Sequence, residues 1–300
     1  MSSQTARARL RLPEPLAYVF TGGLARSAAQ IGMITPLNDA ELYPNMVVGS
    51  STGAVNAALF ARDPDDFTAS ATRLWAGVAR DKALTSIRRS TVRGLASSQA
   101  PRTQNMLRKH LDPAFGSTSF EQLSVPLRVT ATQLVSGQPA IIDSGPVVDA
   151  LLASMAFPGI MPPCELPDGQ LVVDGSVVAD VPVMQALAAG AKSAVVLDTG
   201  SSAVDESAVS DISWYHVMAL AATHMLRSRA PHHVASAAAE IPVIVVSSSS
   251  GNAFDLRNAL ETVPSGEAAA SRVLGAIDQQ LGRSRRLLRP GHYGDELLSR

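Results

Sequence analysis

The chain has 300 residues, of which 46% are apolar and 17% are charged, and its formal net charge is −1. This apolar content can fill a large buried core and excludes a disordered or fibrous chain. The balanced charge argues against a dedicated nucleic-acid binder, which needs a basic surface. The single cysteine, Cys164, excludes an intrachain disulfide and a cysteine-rich metal site.

Hydropathy and charge along the chain mark two polar ends. The length alone suggests two domains, and the order of the motifs described below favours one. Residues 1–14 form a polar leader without the apolar segment of a signal peptide, and no later stretch approaches the roughly 18 apolar residues of a spanning helix. We therefore expect a cytoplasmic protein. The domain is predicted over residues 15–282, and a basic, solvated tail is predicted over residues 283–300.

Two strand–turn–helix units open the predicted domain. The apolar run Leu16–Phe20 precedes a glycine pair, after which small and apolar residues recur at helical spacing over residues 25–37. Met46–Val48 is a second short strand, and a turn of glycine, serine and threonine separates it from a helix over Ala54–Phe60. This alternation is typical of a parallel sheet that is covered by helices, which is an α/β fold.

The rest of the domain begins with a helical excursion over residues 65–122, which has no clear strand pattern. Further strands are predicted at Leu127–Thr132, Ala140–Ile142, Leu166–Val173, Ala194–Asp198 and Ile241–Val246. The segment from Leu166 to Val173 is expected to be a hairpin that turns at Asp168 and Gly169. Helices are predicted at Val147–Met155, Asp211–Ser228 and Glu267–Leu281.

Residues 49–53 match G-x-S-x-G and make Ser51 a candidate nucleophile. A nucleophile elbow places its serine on a strained strand-to-helix turn, where Gly49 and Gly53 let strand and helix approach closely. The N-terminus of the following helix adds positive dipole near the reacting oxygen. A serine–glycine turn without a catalytic role is the alternative, but the apolar strand before it and the helix after it favour an elbow.

The loop after the first strand is a candidate oxyanion hole. Gly22, Gly23 and Leu24 lie between a strand and a helix, so their amides can converge on a carbonyl oxygen. Such a loop can also hold a nucleotide phosphate, but neither G-x-G-x-x-G nor G-x-x-x-x-G-K-[ST] occurs. Arg26 follows in the loop, where it either pairs locally and anchors the turn or meets a lipid phosphate.

Asp174 is the candidate base for this serine. It ends an apolar strand and precedes Gly175, and a buried carboxylate beside a serine can accept its proton without a histidine. A plain Asp-Gly turn is the alternative. A Ser-His-Asp triad would need one of the six histidines, none of which follows a strong strand in a glycine-rich loop: His110, His216, His224, His232, His233 and His292.

The three segments, taken in chain order, resemble the patatin-like phospholipase family. They are the loop Phe20–Ser27, the serine segment Val48–Ala54 and the aspartate segment Val173–Val183. The resemblance implies a three-layer α/β/α fold around a mainly parallel sheet. It also implies a catalytic dyad of Ser51 and Asp174.

The same resemblance implies an oxyanion hole built from Gly22, Gly23 and Leu24, with Arg26 and the glycines at 49, 53 and 175 in support. The implied activity is hydrolysis of a lipid or fatty-acyl ester, without a metal or a cofactor. Because the net charge is close to zero, contact with a membrane surface is expected to be transient and apolar. The helical excursion is expected to control acyl access. Five of its apolar residues either contact lipid or, as we expect for most of them, simply pack on the sheet: Leu74, Trp75, Val78, Leu84 and Ile87.

Four positions depart from the family pattern. In the oxyanion loop, Leu24 stands in place of a third glycine and Ser27 in place of the glycine after the loop arginine. In the aspartate segment, Ser176 stands in place of the second glycine and Asp180 in place of an asparagine. A side chain at position 24 disfavours positive φ and narrows the approach to the amide. A catalytically impaired protein that binds lipid or regulates another protein is therefore the alternative to an enzyme.

Overall fold

The computed structural model describes residues 10–85, 100–200, 221, 224–281 and 287–297. Its strands are Leu16–Phe20 (β1), Met46–Ser50 (β2), Leu127–Gln133 (β3), Pro139–Ile142 (β4), Cys164–Glu165 (β5), Leu171–Asp174 (β6), Ser193–Asp198 (β7), Pro242–Ser247 (β8) and Gly291–Gly294 (β9). Its α-helices are Ala29–Asp39 (α1), Thr52–Arg62 (α2), Phe67–Arg80 (α3), Lys82–Thr85 (α4), Ala100–Phe115 (α5), Val147–Ser154 (α6), Ser176–Ala179 (α7), Val183–Ala188 (α8), Ala230–Glu240 (α9) and Val263–Leu281 (α10). Shorter 3₁₀ helices occupy Leu24–Ala28, Phe120–Gln122 and Leu256–Thr262.

The nine strands form one sheet in the order β5-β6-β3-β2-β1-β7-β8-β9, with β4 also paired to β3. The run from β3 through β2, β1, β7 and β8 to β9 is parallel. The pairs β3–β4, β3–β6 and β5–β6 are antiparallel. The sheet is therefore mainly parallel, as predicted.

The central strand β1 is buried on both faces, which is why its sequence is a continuous apolar run. Leu16, Tyr18 and Phe20 point into the larger core, which includes residues of α1, α2, α6 and α10. Ala17 and Val19 point into a smaller core with α8 and α9. Helices on both faces give the three-layer α/β/α arrangement that the family resemblance implied.

The predicted elements recur with small shifts in their bounds. The first helix begins as a 3₁₀ turn, and the excursion over residues 65–122 contains α3, α4, α5 and another 3₁₀ turn, with residues 86–99 outside the described part. Most of the helix predicted at Asp211–Ser228 also lies outside the described residues. Within the described ranges, no helix is both long and apolar enough to cross a bilayer.

The solvated tail predicted over residues 283–300 needs correction. Gly291–Gly294 form β9 beside β8, and Leu288 and Leu297 are buried. At the other end, Arg11 bridges to Leu287 although the sequence placed it in a polar leader. Both segments are too short and too poor in apolar alternation to be recognised locally as part of a sheet.

Candidate active site

Ser51 lies at the sharp turn between β2 and α2. Its backbone has φ 54° and ψ −133°, a left-handed φ that is rare for a residue with a side chain. A Cβ on Gly49 would lie 2.5 Å from Ala54 Cα, and one on Gly53 would lie 2.3 Å from the carbonyl oxygen of Thr21. Close packing of strand, helix and oxyanion loop therefore requires these two glycines, as a nucleophile elbow does.

Strand register brings Asp174 to this turn from 123 residues away. Ser50 of β2 is opposite Thr130 of β3, and Ala131, the next residue of β3, is opposite Asp174 of β6. The Ser51 hydroxyl donates a hydrogen bond of 2.8 Å to Asp174 Oδ2. The structure thus joins the two predicted catalytic residues directly.

Asp174 is 1% exposed, and Oδ1, the carboxylate oxygen that does not contact Ser51, accepts two hydrogen bonds. Asp174 Oδ1 accepts the Ser176 N–H at 2.8 Å and the Ser176 O–H at 2.6 Å. Burial raises the pKa of Asp174 to about 6, although the hydrogen bonds from Ser176 and Ser51 oppose that rise. A carboxylate with such a pKa can exchange protons near neutrality.

Ser154 is a supporting residue to which the sequence analysis gave no role. Its hydroxyl accepts the Ser51 N–H at 2.8 Å and donates to the Thr130 carbonyl at 2.7 Å. Its own carbonyl accepts the Gly175 N–H at 3.1 Å. Ser154 therefore connects the serine turn to the aspartate turn, and only the tertiary structure brings it to either.

The three amides of the predicted oxyanion loop differ in their hydrogen-bond partners. The Gly22 N–H donates to the Asp180 carbonyl at 3.4 Å, and the Leu24 N–H donates to Thr52 Oγ1 at 3.0 Å. The Gly23 N–H makes no hydrogen bond with a described residue. Leu24 has φ 52°, the left-handed conformation that its side chain was expected to disfavour.

Arg26 is 3% exposed, and its Nε and Nη1 have no partner among the described residues. Burial lowers the pKa of this guanidinium, and the nearby charge of Arg227 lowers it further. Arg227 itself holds Asp180 at 3.0 Å and Asp198 at 2.8 Å. The local pairing expected for Arg26 is therefore not seen, because Arg227 takes both carboxylates.

Two pockets open at Ser51. The larger, of about 1050 Å³ including its mouth, is mostly apolar and lies against the helical excursion. Of the five apolar residues singled out in the sequence, four line this pocket: Leu74, Trp75, Val78 and Leu84. The fifth, Ile87, lies outside the described residues. The smaller pocket, of about 620 Å³, is lined by the oxyanion loop together with Arg26, Asp180 and Arg227.

Among the described residues, neither a histidine partner for Ser51 nor a cluster of metal-binding side chains is present. Ser51 Oγ bonds to Asp174 and to no described histidine, and His216 lies outside the described residues. His110 lines the apolar pocket, but its Nε2 is 2.9 Å from Asp81 Oδ2. In the described part of the chain, no group of three histidine, cysteine, aspartate or glutamate residues could hold a metal ion.

The sequence is similar to those of known proteins. A family model described as patatin-like phospholipase matches residues 18–187. Patatin-like phospholipase domain-containing protein 6 of Mus musculus is 28% identical over 210 residues, covering 69% of this chain and 15% of that protein. Neuropathy target esterase sws of Drosophila melanogaster is 29% identical over 188 residues, covering 62% of this chain and 13% of that protein.

Among solved structures, VipD from Legionella pneumophila aligns with a TM-score of 0.49 at 13% identity, covering 92% of this chain and 72% of that one. The chain spans only 13–15% of the length of the two curated relatives. The family model nevertheless matches more than half of the chain and includes the oxyanion loop, Ser51 and Asp174. This chain belongs to the patatin-like phospholipase family.

Proposed function

We propose that the chain is a lipid acyl hydrolase of phospholipase A, lysophospholipase or esterase type, with Ser51 and Asp174 as its catalytic dyad. The observation that carries this proposal is the 2.8 Å bond from Ser51 Oγ to Asp174 Oδ2 at the mouth of a largely apolar pocket. The names of the two relatives, a phospholipase domain protein and an esterase, support the same reaction class.

In the acylation step, Ser51 Oγ attacks the ester carbonyl carbon and its proton passes to Asp174 Oδ2. The carbonyl electron pair moves to the oxygen, which becomes the oxyanion of a tetrahedral intermediate. When that intermediate collapses, the carbonyl reforms, the bond to the leaving alkoxide breaks, and Asp174 returns the proton to the departing alcohol. The acyl group is left on Ser51.

In the deacylation step, water gives a proton to Asp174 and its oxygen attacks the acyl-enzyme. The second tetrahedral intermediate expels Ser51 Oγ, which recovers the proton from Asp174, and the fatty acid leaves. A carboxyl pKa of about 6 suits this role, since Asp174 must both accept and release a proton at neutral pH.

The amide of Gly23 is our candidate for the main-chain oxyanion donor, because it has no acceptor among the described residues. Gly22 shapes the turn and Leu24 continues it. The N-terminus of α2 adds its positive dipole at Ser51. The apolar pocket would bind the acyl chain and exclude water from the acyl-enzyme.

The experiment is to purify the wild type and the variants Ser51→Ala and Asp174→Asn, and to measure hydrolysis of p-nitrophenyl butyrate. Both variants should lose turnover, and a fluorophosphonate probe should label the wild type at Ser51 only. Ser136→Ala, at an exposed serine, is the matched control and should behave as wild type. Turnover that survives Asp174→Asn but disappears in a histidine variant would favour a histidine triad. Lipid binding by a wild type that is neither active nor labelled would favour an impaired relative.

The smaller pocket favours an ester with an anionic headgroup as the natural substrate. Arg26 lines this pocket as a mostly buried cation that has no ion pair with a described residue, and a headgroup phosphate in the pocket would be its counterion. We therefore expect Arg26→Met to reduce kcat/KM for a lysophospholipid by about 10- to 100-fold, the usual worth of a charged hydrogen bond. Turnover of a monoacylglycerol should change much less. An equal loss on both substrates would make Arg26 a structural support of the loop.

A further inference from the structure

The Leu24 amide, one of the expected oxyanion donors, is already in use. It donates to the Thr52 hydroxyl at 3.0 Å, and the same hydroxyl oxygen lies 2.7 Å from Ser27 Oγ. Thr52 follows Ser51 at the start of α2, and Thr52, Ser51 and Leu24 all line the apolar pocket. Leu24 and Ser27 are two of the four positions at which this chain departs from the pattern of its family.

Hydrogen-bond accounting gives the direction of the Ser27–Thr52 contact. Ser27 is fully buried, and Thr52 Oγ1 is the only described partner of its hydroxyl. If Thr52 donated to Ser27, the Ser27 proton would be buried without an acceptor, which is costly. Ser27 therefore donates, and Thr52 Oγ1 accepts two hydrogen bonds with its two lone pairs.

The proton of the Thr52 hydroxyl then has no described acceptor, although the oxygen is held in place from two sides. Thr52 is partly exposed, and the open space beside it is the pocket that contains Ser51. A hydroxyl that accepts two hydrogen bonds is polarised and becomes a stronger donor. Its remaining function can only be to donate.

We propose that the Thr52 hydroxyl donates a hydrogen bond to the substrate oxyanion and replaces the diverted Leu24 amide in the oxyanion hole. The proton stays on Thr52 throughout, so no bond to it is broken. Thr52 is then a catalytic residue, and Ser27 is a positioning residue that acts through it. This inference rests on the proposed ester hydrolysis.

The test compares Thr52→Val, which keeps the shape but removes the hydroxyl, with Thr52→Ser, which keeps the hydroxyl. For p-nitrophenyl butyrate, Thr52→Val should lower kcat by about 100-fold, as for the loss of one oxyanion donor, with KM within about threefold. Thr52→Ser should recover at least about a tenth of the wild-type kcat. Thr72→Val, at an exposed threonine of α3 outside the pocket, is the matched control and should leave kcat unchanged.

Ser27→Ala supplies a second, independent comparison. It should lower kcat by about tenfold, and Ser27→Ala combined with Thr52→Val should be no slower than Thr52→Val alone, because Ser27 acts through the Thr52 hydroxyl. Melting temperatures would verify that each variant is folded.

Three results would overturn the inference: a kcat for Thr52→Val that equals or exceeds that of the wild type, a Thr52→Ser variant as slow as Thr52→Val, or independent losses that multiply in the double variant. A higher kcat would mean that Thr52 blocks the Leu24 amide. A wild type with neither turnover nor labelling of Ser51 would overturn the proposed function, and this inference with it.

Discussion

Replacing Asp174 by asparagine should inactivate the protein and change its stability in a way that depends on pH. The two hydrogen bonds from Ser176 suit an amide as well as a carboxylate, because an amide oxygen can accept both in place of Oδ1. At Oδ2 an amide N–H can donate to Ser51 Oγ, so this hydrogen bond reverses its direction, and the Ser51 O–H and the second amide N–H lack a described acceptor. The substitution therefore removes a buried negative charge, and the cost of these unpaired donors does not depend on pH.

The size of the effect follows from the pKa of Asp174, which is about 6 in the folded protein against an ordinary value of 3.8. A carboxyl whose pKa is raised on folding binds more protons in the folded state between these two values, so stability falls as pH rises through this interval. The raised pKa therefore makes the ionised carboxylate cost about 3 kcal/mol of folding free energy at pH 8 and about half of that at pH 5. Below both pKa values the cost disappears.

The assay is urea unfolding of the wild type and Asp174→Asn at pH 5 and pH 8, with Asp65→Asn as a control for the same chemical change at an exposed site. The stability of Asp174→Asn relative to the wild type should be higher at pH 8 than at pH 5 by about 1–2 kcal/mol, and Asp65→Asn should show no such change. A stability difference between the wild type and Asp174→Asn that is the same at pH 5 and pH 8 would refute the account of Asp174 as a buried, costly charge.

Three further predictions concern activity and packing. The value of kcat/KM should rise with pH and reach half its maximum near pH 6, since Asp174 must be ionised to act as base; a flat profile from pH 5 to 8 would contradict this. Gly23→Ala should abolish activity and lower the free energy of unfolding by about 1–3 kcal/mol, because its Cβ would lie 2.3 Å from Thr199 Oγ1. Gly275→Ala, in open space on α10, should instead stabilise by about 0.5–1 kcal/mol and provides the control. Arg227→Met should lower the free energy of unfolding by about 3–5 kcal/mol, because two buried aspartates lose their cation; a loss below about 1 kcal/mol in chemical denaturation would contradict it.

Much of the fold could be predicted because its signals are local. The apolar runs that become β1 and β2, and the glycine turns after them, depend on residues that are close in sequence. The tail strand β9 could not be predicted, because its four residues gain their place only by pairing with β8. The bounds of the Asp174 hairpin shifted for the same reason, since β6 takes its register from β3.

The candidate site divides in a similar way. The residues of the serine turn favour Ser51 as a nucleophile, because the turn's glycines are needed for close backbone approach. Asp174 by itself could equally be part of a plain Asp-Gly turn, and the family resemblance is what favours it as the base. The sequence gives no role to Ser154 or Thr52, since a serine or threonine carries no local sign of the partner it will meet. It also predicts an amide of Leu24 that is free for substrate, whereas the structure gives that amide to Thr52.

The sequence by itself therefore determined the α/β class with its parallel sheet, the order of the candidate catalytic segments and the near-zero net charge. The tertiary structure decided the 2.8 Å contact between Ser51 and Asp174, the burial that raises the pKa of the carboxyl, and the position of Arg26, whose Nε and Nη1 have no partner among the described residues. The physical reason is the sequence separation over which each property is set. Motifs and alternation depend on neighbours a few residues away, whereas distance, dielectric and hydrogen-bond competition depend on which distant segments the sheet register brings together.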